Sequence, residues 1–183
     1  MEEQAQSPFQ AAIKPGITMG LIALALTYIA YFVDSTLLAT WWFGLGFLVI
    51  FFGLIIYFGK QYRTELGGFM SFGTAFNFSF LTMIVSGLVS LVGQLLLFQV
   101  IDPDLGSVLA DITFENSMKM MESFGGNPDS LSPEMLDEMR KSSSDPYTLS
   151  GQLKGFGFGL IAYAIIALIL GAILKKRDKS LDY

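Results

Sequence analysis

The chain has 183 residues and a net charge of −5, is 52% hydrophobic and only 15% charged, and contains neither cysteine nor histidine. Disulfides, thiol chemistry, Cys/His metal sites and every catalytic arrangement built on an imidazole are thereby excluded. The length is that of one domain, and residues 1–183 read as a single transmembrane domain.

Four apolar runs, 16–33, 41–58, 72–101 and 156–174, carry no charged residue in their interiors. Each is near or above the ~18 residues read as a membrane span. The expected fold is all-α: a polytopic membrane protein of four transmembrane helices in an antiparallel bundle. Buried helices of a soluble protein are the competing reading, and four such runs in one chain of low charge speak against it.

The first span is expected to begin after Lys14-Pro15, because proline suits a helix start where its missing N–H is no loss. It stops at Asp34, since a carboxylate at the bilayer centre costs ~2.5–3.5 kcal/mol. A cleaved signal peptide fits poorly: the leader carries Glu2 and Glu3, the apolar run is long, and no A-x-A pattern follows. The 34–40 link allows only a tight helical hairpin, with Asp34 or Ser35 as the cap of the incoming helix. The second span opens on Trp41-Trp42 and closes on Tyr57-Phe58, an aromatic belt at each end.

The third span follows Gly67-Gly68 and runs to Ile101, where Asp102 before Pro103 ends it. At ~1.5 Å per residue it is about 45 Å long. That exceeds the ~30 Å hydrocarbon core, so its last turns, with Gln94 and Gln99, should project or tilt. Ser79, Thr82, Ser86, Ser90 and Gly93 lie on one of its faces, and Gly16-x-x-x-Gly20 and Gly155-x-x-x-Gly159 offer similar small-residue faces on the first and fourth spans. Such faces let helix backbones approach closely. A polar pore wall, with Asn77 and Gln94 also turned inward, is the alternative reading of the stripe.

Segment 102–152 holds ten acids against Lys119, Arg140 and Lys141. It reads as a helical insertion of two short amphipathic helices. Leu105, Val108, Leu109 and Ile112 set the face of the first, which Gly125-Gly126 stops. Ser132 and Pro133 start the second, which fades at Ser142–Ser144. Met118, Met120, Met121, Met135 and Met139 fall here; thioethers favour monovalent copper, but an adaptable apolar face is the simpler use of them. Asp102-Pro103-Asp104 lacks the remaining oxygen ligands of a calcium loop. No metal or cofactor site is therefore assigned.

The fourth span ends against Lys175-Lys176-Arg177, with Lys179 beyond. Gly155-Phe156-Gly157-Phe158-Gly159 lacks the lysine and strand of a nucleotide loop. Lys60 and Arg63 in the second connection, with the basic tail, place both termini inside by the positive-inside rule and segment 102–152 outside. Nucleic acid is not an expected partner, since no basic stripe exists beyond the tail.

Two motifs carry a resemblance. One is Tyr62-Arg63 followed by Glu65-Leu66-Gly67-Gly68-Phe69 and Ser71-Phe72-Gly73-Thr74-Ala75-Phe76; the other is Ile101-Asp102-Pro103-Asp104. With these the chain resembles the small bacterial membrane proteins grouped as domain of unknown function 4199. The likeness covers nearly the whole layout, although only these two motifs are specific to it. It implies a four-pass topology in the cytoplasmic (inner) membrane of a bacterium and no known activity. Gly67-Gly68 should turn the chain at the inner face, leaving Arg63 to meet lipid phosphate or the start of the third helix, or to act only as a topology determinant.

With no buried charge to serve an ion-coupled carrier and no catalytic constellation, the expected function is a non-catalytic assembly or accessory component. It would join the bilayer, copies of itself or a membrane-complex partner. A pore or transport accessory subunit is the alternative.

Overall fold

The computed structural model describes residues 6–177. Glu2 and Glu3 of the acidic leader and Lys179 of the basic tail lie outside the described residues. Six α-helices occur among them, joined by short 3-10 turns and tied at one point by an isolated β-bridge. Four of the helices are long and apolar enough to cross a membrane.

Helix α1 spans Pro8–Asp34. Ser7 and Gln10 exchange side-chain and backbone hydrogen bonds in a capping box, and Pro8 occupies the first turn. The helix thus begins before Lys14-Pro15, and Pro15 lies inside it. The ring costs the Ala11 carbonyl its usual partner, but the helix has already been set by its cap. Asp34 caps no membrane helix. It accepts from the Thr36 N–H and hydroxyl at 2.9 and 2.7 Å and starts the 3-10 turn Ser35–Ala39.

Helix α2 spans Trp41–Glu65 and runs beyond Phe58, so that Lys60, Arg63 and Glu65 ride on its last turns. Long side chains at a helix end can reach the headgroup level without breaking the helix. Helix α3, Phe72–Leu96, continues through a π-turn, Leu97–Ile101, to the expected end. Ser71 caps it by accepting from Thr74 N–H at 3.1 Å.

Helices α4, Leu105–Ser123, and α5, Pro133–Ser144, form the helical hairpin foreseen in 102–152. Gly125 at φ +82° closes α4, and Ser132 caps α5. The Glu134 carboxyl, held by its own backbone N–H and then by Ser132, sits below the usual carboxylate range. Helix α6, Leu149–Leu174, starts well ahead of Phe156 because Thr148 caps it at Gly151 N–H, 2.9 Å away. Its extra turns carry Lys154, which is exposed and pairs with Asp145 at 3.9 Å.

Helix α3 is the centre of the bundle. A Cβ on Gly16 would lie 2.6 Å from Val85 Cβ, and one on Gly20 would lie 2.6 Å from Val89 Cβ. Leu24 sits over Gly93, and the Tyr28 hydroxyl donates to the Gly93 carbonyl at 3.1 Å. The contacts advance in the same sense along both helices, so α1 and α3 run parallel. Along α6 they run the other way: Phe72 meets Gly171, while Phe156 and Tyr163 meet Gly87.

Helix α2 is fully buried only at Ile55, Gly59 and Tyr62, while Phe51, Phe52 and Leu54 pack half-buried against the middle of the core. From Trp41 to Leu54 it buries no residue. The buried core forms three clusters along the bundle axis. Tyr62, Phe78 and Leu174 lie at the end with the α2–α3 turn; Met19, Met83 and Leu170 at the middle; Leu97, Phe98 and Leu109 at the α4 end.

The α1–α3 contact generates a test. Gly20→Ala is expected to cost about 1–3 kcal/mol by overpacking. Gly157→Ala, where a Cβ meets nothing within 4 Å, is expected to be neutral or stabilising by up to ~1 kcal/mol. Thermal denaturation in detergent distinguishes them, and equal losses would refute the close contact.

Candidate functional site

The residues that carry the resemblance divide between the two ends of the bundle. At the turn end, Gly67 and Gly68 take φ of +85° and +89°. Their N–H groups bond back to Thr64 and Arg63 carbonyls at 3.0 and 2.9 Å, closing α2. Only glycine adopts two such conformations in succession without steric cost. The chain then pairs with the segment after α6: Met70 N–H donates to the Lys176 carbonyl at 3.0 Å, and Lys176 N–H donates to the Met70 carbonyl at 2.8 Å. The Lys176 ammonium lies 5.6 Å from the centre of the Phe69 ring.

Arg63 has a partner at the end of α6. Its Nη1 donates at 3.1 Å to the carbonyl of Leu174, the last residue of α6. A cation there satisfies a carbonyl the helix leaves unpaired and opposes the negative end of its dipole. Tyr62, buried, stacks on Phe78 with ring centres 4.9 Å apart and donates from its hydroxyl to the Gln6 carbonyl at 2.8 Å. Phe72 covers Gly171 and Ala75 is fully buried. Phe76 stacks on Phe80, while Gly73 faces open space. The basic residues Lys14, Lys60, Arg63, Lys175, Lys176 and Arg177 sit at this end.

At the opposite end, Asp102 accepts from the Tyr31 hydroxyl and from Leu105 N–H, each at 3.1 Å. One carboxylate thus ties α1 to the start of α4, and Pro103 lies exposed beside it. Met118, Met121 and Met139 are half-buried in the α4–α5 hairpin, while Met120 and Met135 are exposed. Among the described residues no group of three His, Cys, Asp or Glu side chains comes together in a way that could hold a metal ion.

The small-residue positions also divide. Ser79, Thr82, Ser86 and Gly93 are buried in the bundle, with the Ser79 and Thr82 hydroxyls lacking partners among the described residues. Asn77 is exposed instead of turned inward. Gly155 and Gly159 bring no other helix close: a Cβ on Gly155 meets nothing within 4 Å, and one on Gly159 meets only Tyr163 of the same helix.

Gly155 lines a cavity of about 410 Å³ between the undocked half of α2 and helices α1, α3 and α6. Thr27, Ser86, Ser90 and Gln94 contribute to one wall, Phe47 and Phe51 to another, and Gln152 and Tyr163 to the α6 side. No lining residue is charged. The stripe on α3 therefore serves two purposes, packing against α1 along one edge and lining this space along the other. Periodicity revealed the stripe but not the cavity, which exists because α2 stands away. A second cavity, of about 340 Å³, opens at the turn end beside Lys14, Gln61, Tyr62 and Glu65.

The family model described as Protein of unknown function (DUF4199) matches residues 14–176. No curated protein and no solved structure matches the chain.

Arg63→Met is expected to lower stability by about 1.5 kcal/mol, the loss of one hydrogen bond from a charged donor. Lys60→Met, at an exposed position of the same helix, should leave stability within ~0.5 kcal/mol. Denaturation midpoints of the two variants in the same detergent make the comparison.

Proposed function

The chain belongs to DUF4199, a family of proteins of unknown function, and from that premise we propose that it is a non-catalytic assembly or accessory component of the bacterial inner membrane. Both termini lie in the cytoplasm in this reading, and the α4–α5 hairpin faces outward. The gathering of Lys14, Lys60, Arg63 and the Lys175–Arg177 cluster at the turn end supports the orientation. The acidic segment at the opposite end, with the weaker hold of acids on topology, is compatible with it.

The observation that carries the assembly reading is the open outer surface of α2 and α6. Trp41, Trp42, Leu45 and Val49 on α2 and Phe158 and Ile161 on α6 are exposed, and Gly44, Gly46, Gly53 and Gly157 have no neighbour where a Cβ would stand. Lipid covers apolar side chains readily. Glycines without neighbours additionally permit another helix to approach at backbone distance. A copy of this chain or a helix of a larger membrane complex is the partner that such a surface suits. The absence of histidine and cysteine from the whole sequence and of buried charge from the spans fits a role without catalysis.

A pore or transport accessory subunit is the second reading, favoured by the neutral polar wall of the α2 cavity. Crosslinking in native membranes followed by mass spectrometry separates the two. One recurrent partner, or a recurrent self-link through α2 or α6, is expected. Its absence together with solute or ion flux in liposomes would favour transport instead. A reporter fused at Asn127, in the α4–α5 loop, is expected to signal from the extracytoplasmic side; a cytoplasmic signal would refute the orientation.

A further inference from the structure

The second cavity, about 340 Å³ at the turn end, lies between two facing helix stripes. Ala11, Lys14, Pro15 and Thr18 line it from α1. Phe58, Gln61, Tyr62 and Glu65 line it from α2. Each set has the i, i+3, i+4, i+7 spacing of one helix face. Lys14, Gln61 and Glu65 are exposed, so a ligand in the cavity reaches them directly. Several polar groups here are already engaged within the fold. Tyr62 donates its hydroxyl to the Gln6 carbonyl at 2.8 Å, and Thr18 donates to the Lys14 carbonyl at 2.9 Å. The two charges are not engaged. Lys14 and Glu65 share the cavity, yet no ion pair joins them to each other or to another residue among the described ones.

Their order along the bilayer normal selects the ligand. The apolar run of α2 closes at Tyr57-Phe58, ahead of Lys60. Such aromatic residues mark the headgroup boundary, and the cavity straddles it. The Tyr62–Gln6 bond sets the last turns of α2 level with the residue ahead of α1, whereas Lys14 lies about two turns inside α1. The cation is therefore nearer the hydrocarbon, and the carboxylate, on the last residue of α2, is nearer water. A phospholipid with a primary ammonium has the same sequence of groups: chains, then phosphate, then ammonium. A choline headgroup has no N–H to give a carboxylate, and an anionic glycerol headgroup brings no cation to one. At about 30 Å³ for a water-sized group the cavity takes on the order of ten heavy atoms, the size of a headgroup.

We propose that this crevice between α1 and α2 binds a zwitterionic phospholipid with a primary-amine headgroup, its phosphate on Lys14 and the Gln61 amide and its ammonium on Glu65. The long Lys14 side chain carries its charge out to the headgroup level while its stem stays on the apolar wall. Pro15, having no N–H, leaves the Ala11 carbonyl beside the cavity without its usual helical donor. The lipid chains leave past Tyr57 and Phe58 into the surrounding bilayer, which a free headgroup compound has no use for. The site involves neither the outer glycines of α2 nor those of α6, so it stands or falls independently of assembly.

The test places the full chain in nanodiscs of ethanolamine, choline and glycerol phospholipids in equal parts with identical chains. Native mass spectrometry then identifies the lipids that stay bound. The unaltered chain should retain about fivefold more ethanolamine than choline lipid, the ratio expected from one net hydrogen bond. Glu65→Met should bring that ratio to about one. Lys14→Met should lower retention of both zwitterionic lipids about fivefold and leave their ratio unchanged, because the phosphate is common to them. Lys60→Met, outside the cavity, should alter neither. Circular dichroism establishes that each variant is folded, and the ratio of two lipids on one variant is independent of yield. A ratio near one on the unaltered chain overturns the proposal, as does a ratio that persists in folded Glu65→Met. So does a Lys14→Met variant that loses only the glycerol lipid, the mark of a plain anion site. Displacement of the bound lipid by an equal concentration of soluble phosphoethanolamine would assign the site to the free compound and overturn the lipid assignment.

Discussion

Helix α1 approaches helix α3 at backbone distance, and the rest of the bundle is arranged around that contact. Gly16 and Gly20 present no side chain to Val85 and Val89, and Gly93 presents none to Leu24. In a bilayer there is no hydrophobic gain from pressing two apolar helices together, because lipid tails are as apolar as the helix surface. Close packing and interhelical hydrogen bonds have to supply the attraction. The Tyr28 bond to the Gly93 carbonyl is one such bond. It is possible only because the α3 backbone is uncovered there.

Once α1 and α6 occupy two sides of α3, α2 has little surface left to claim. It is buried at Ile55, Gly59 and Tyr62 and only partly covered from Trp41 to Leu54. The cavity follows from this asymmetry. Its walls are side chains that would otherwise be ordinary packing residues, and its neutral polar groups are the continuation of the α3 stripe. The turn end is correspondingly dense: two glycines with positive φ, a β-bridge from Met70 to Lys176, and the Arg63 guanidinium on the last carbonyl of α6 bind three helix ends into one cluster. The residues between Tyr62 and Phe76 that carry the resemblance fall in this cluster, where Tyr62, Arg63 and Phe72 hold neighbouring helix ends together.

Much of this organisation was legible from local chemistry. Ser132 and Gly125 act where helix-capping rules place them, and the third span runs from Phe72 to Ile101 as its composition indicates. Other boundaries moved because a stronger local signal lay outside the apolar run. The Ser7–Gln10 box starts α1 ahead of Pro15, and Thr148 starts α6 ahead of Phe156. Apolarity marks what can sit in lipid, whereas hydrogen bonding marks where a helix begins. The two need not coincide where a helix projects beyond the bilayer.

The amino-acid order alone sufficed for the four spans, the Ser132 cap of α5, the division of charge between the two ends and the set of residues sharing each helix face. These depend on composition and on a fixed helical period, both local properties. Which face meets which depended on the folded chain. Gly16-x-x-x-Gly20 and Gly155-x-x-x-Gly159 are the same pattern, yet one seats a helix and the other borders open space. A glycine states only that a neighbour is permitted. Whether one arrives depends on where the competing helices have already packed. The partner of Arg63 at Leu174 and the tie from Asp102 to Tyr31 belong to the same class, contacts across 111 and 71 residues that no local rule selects.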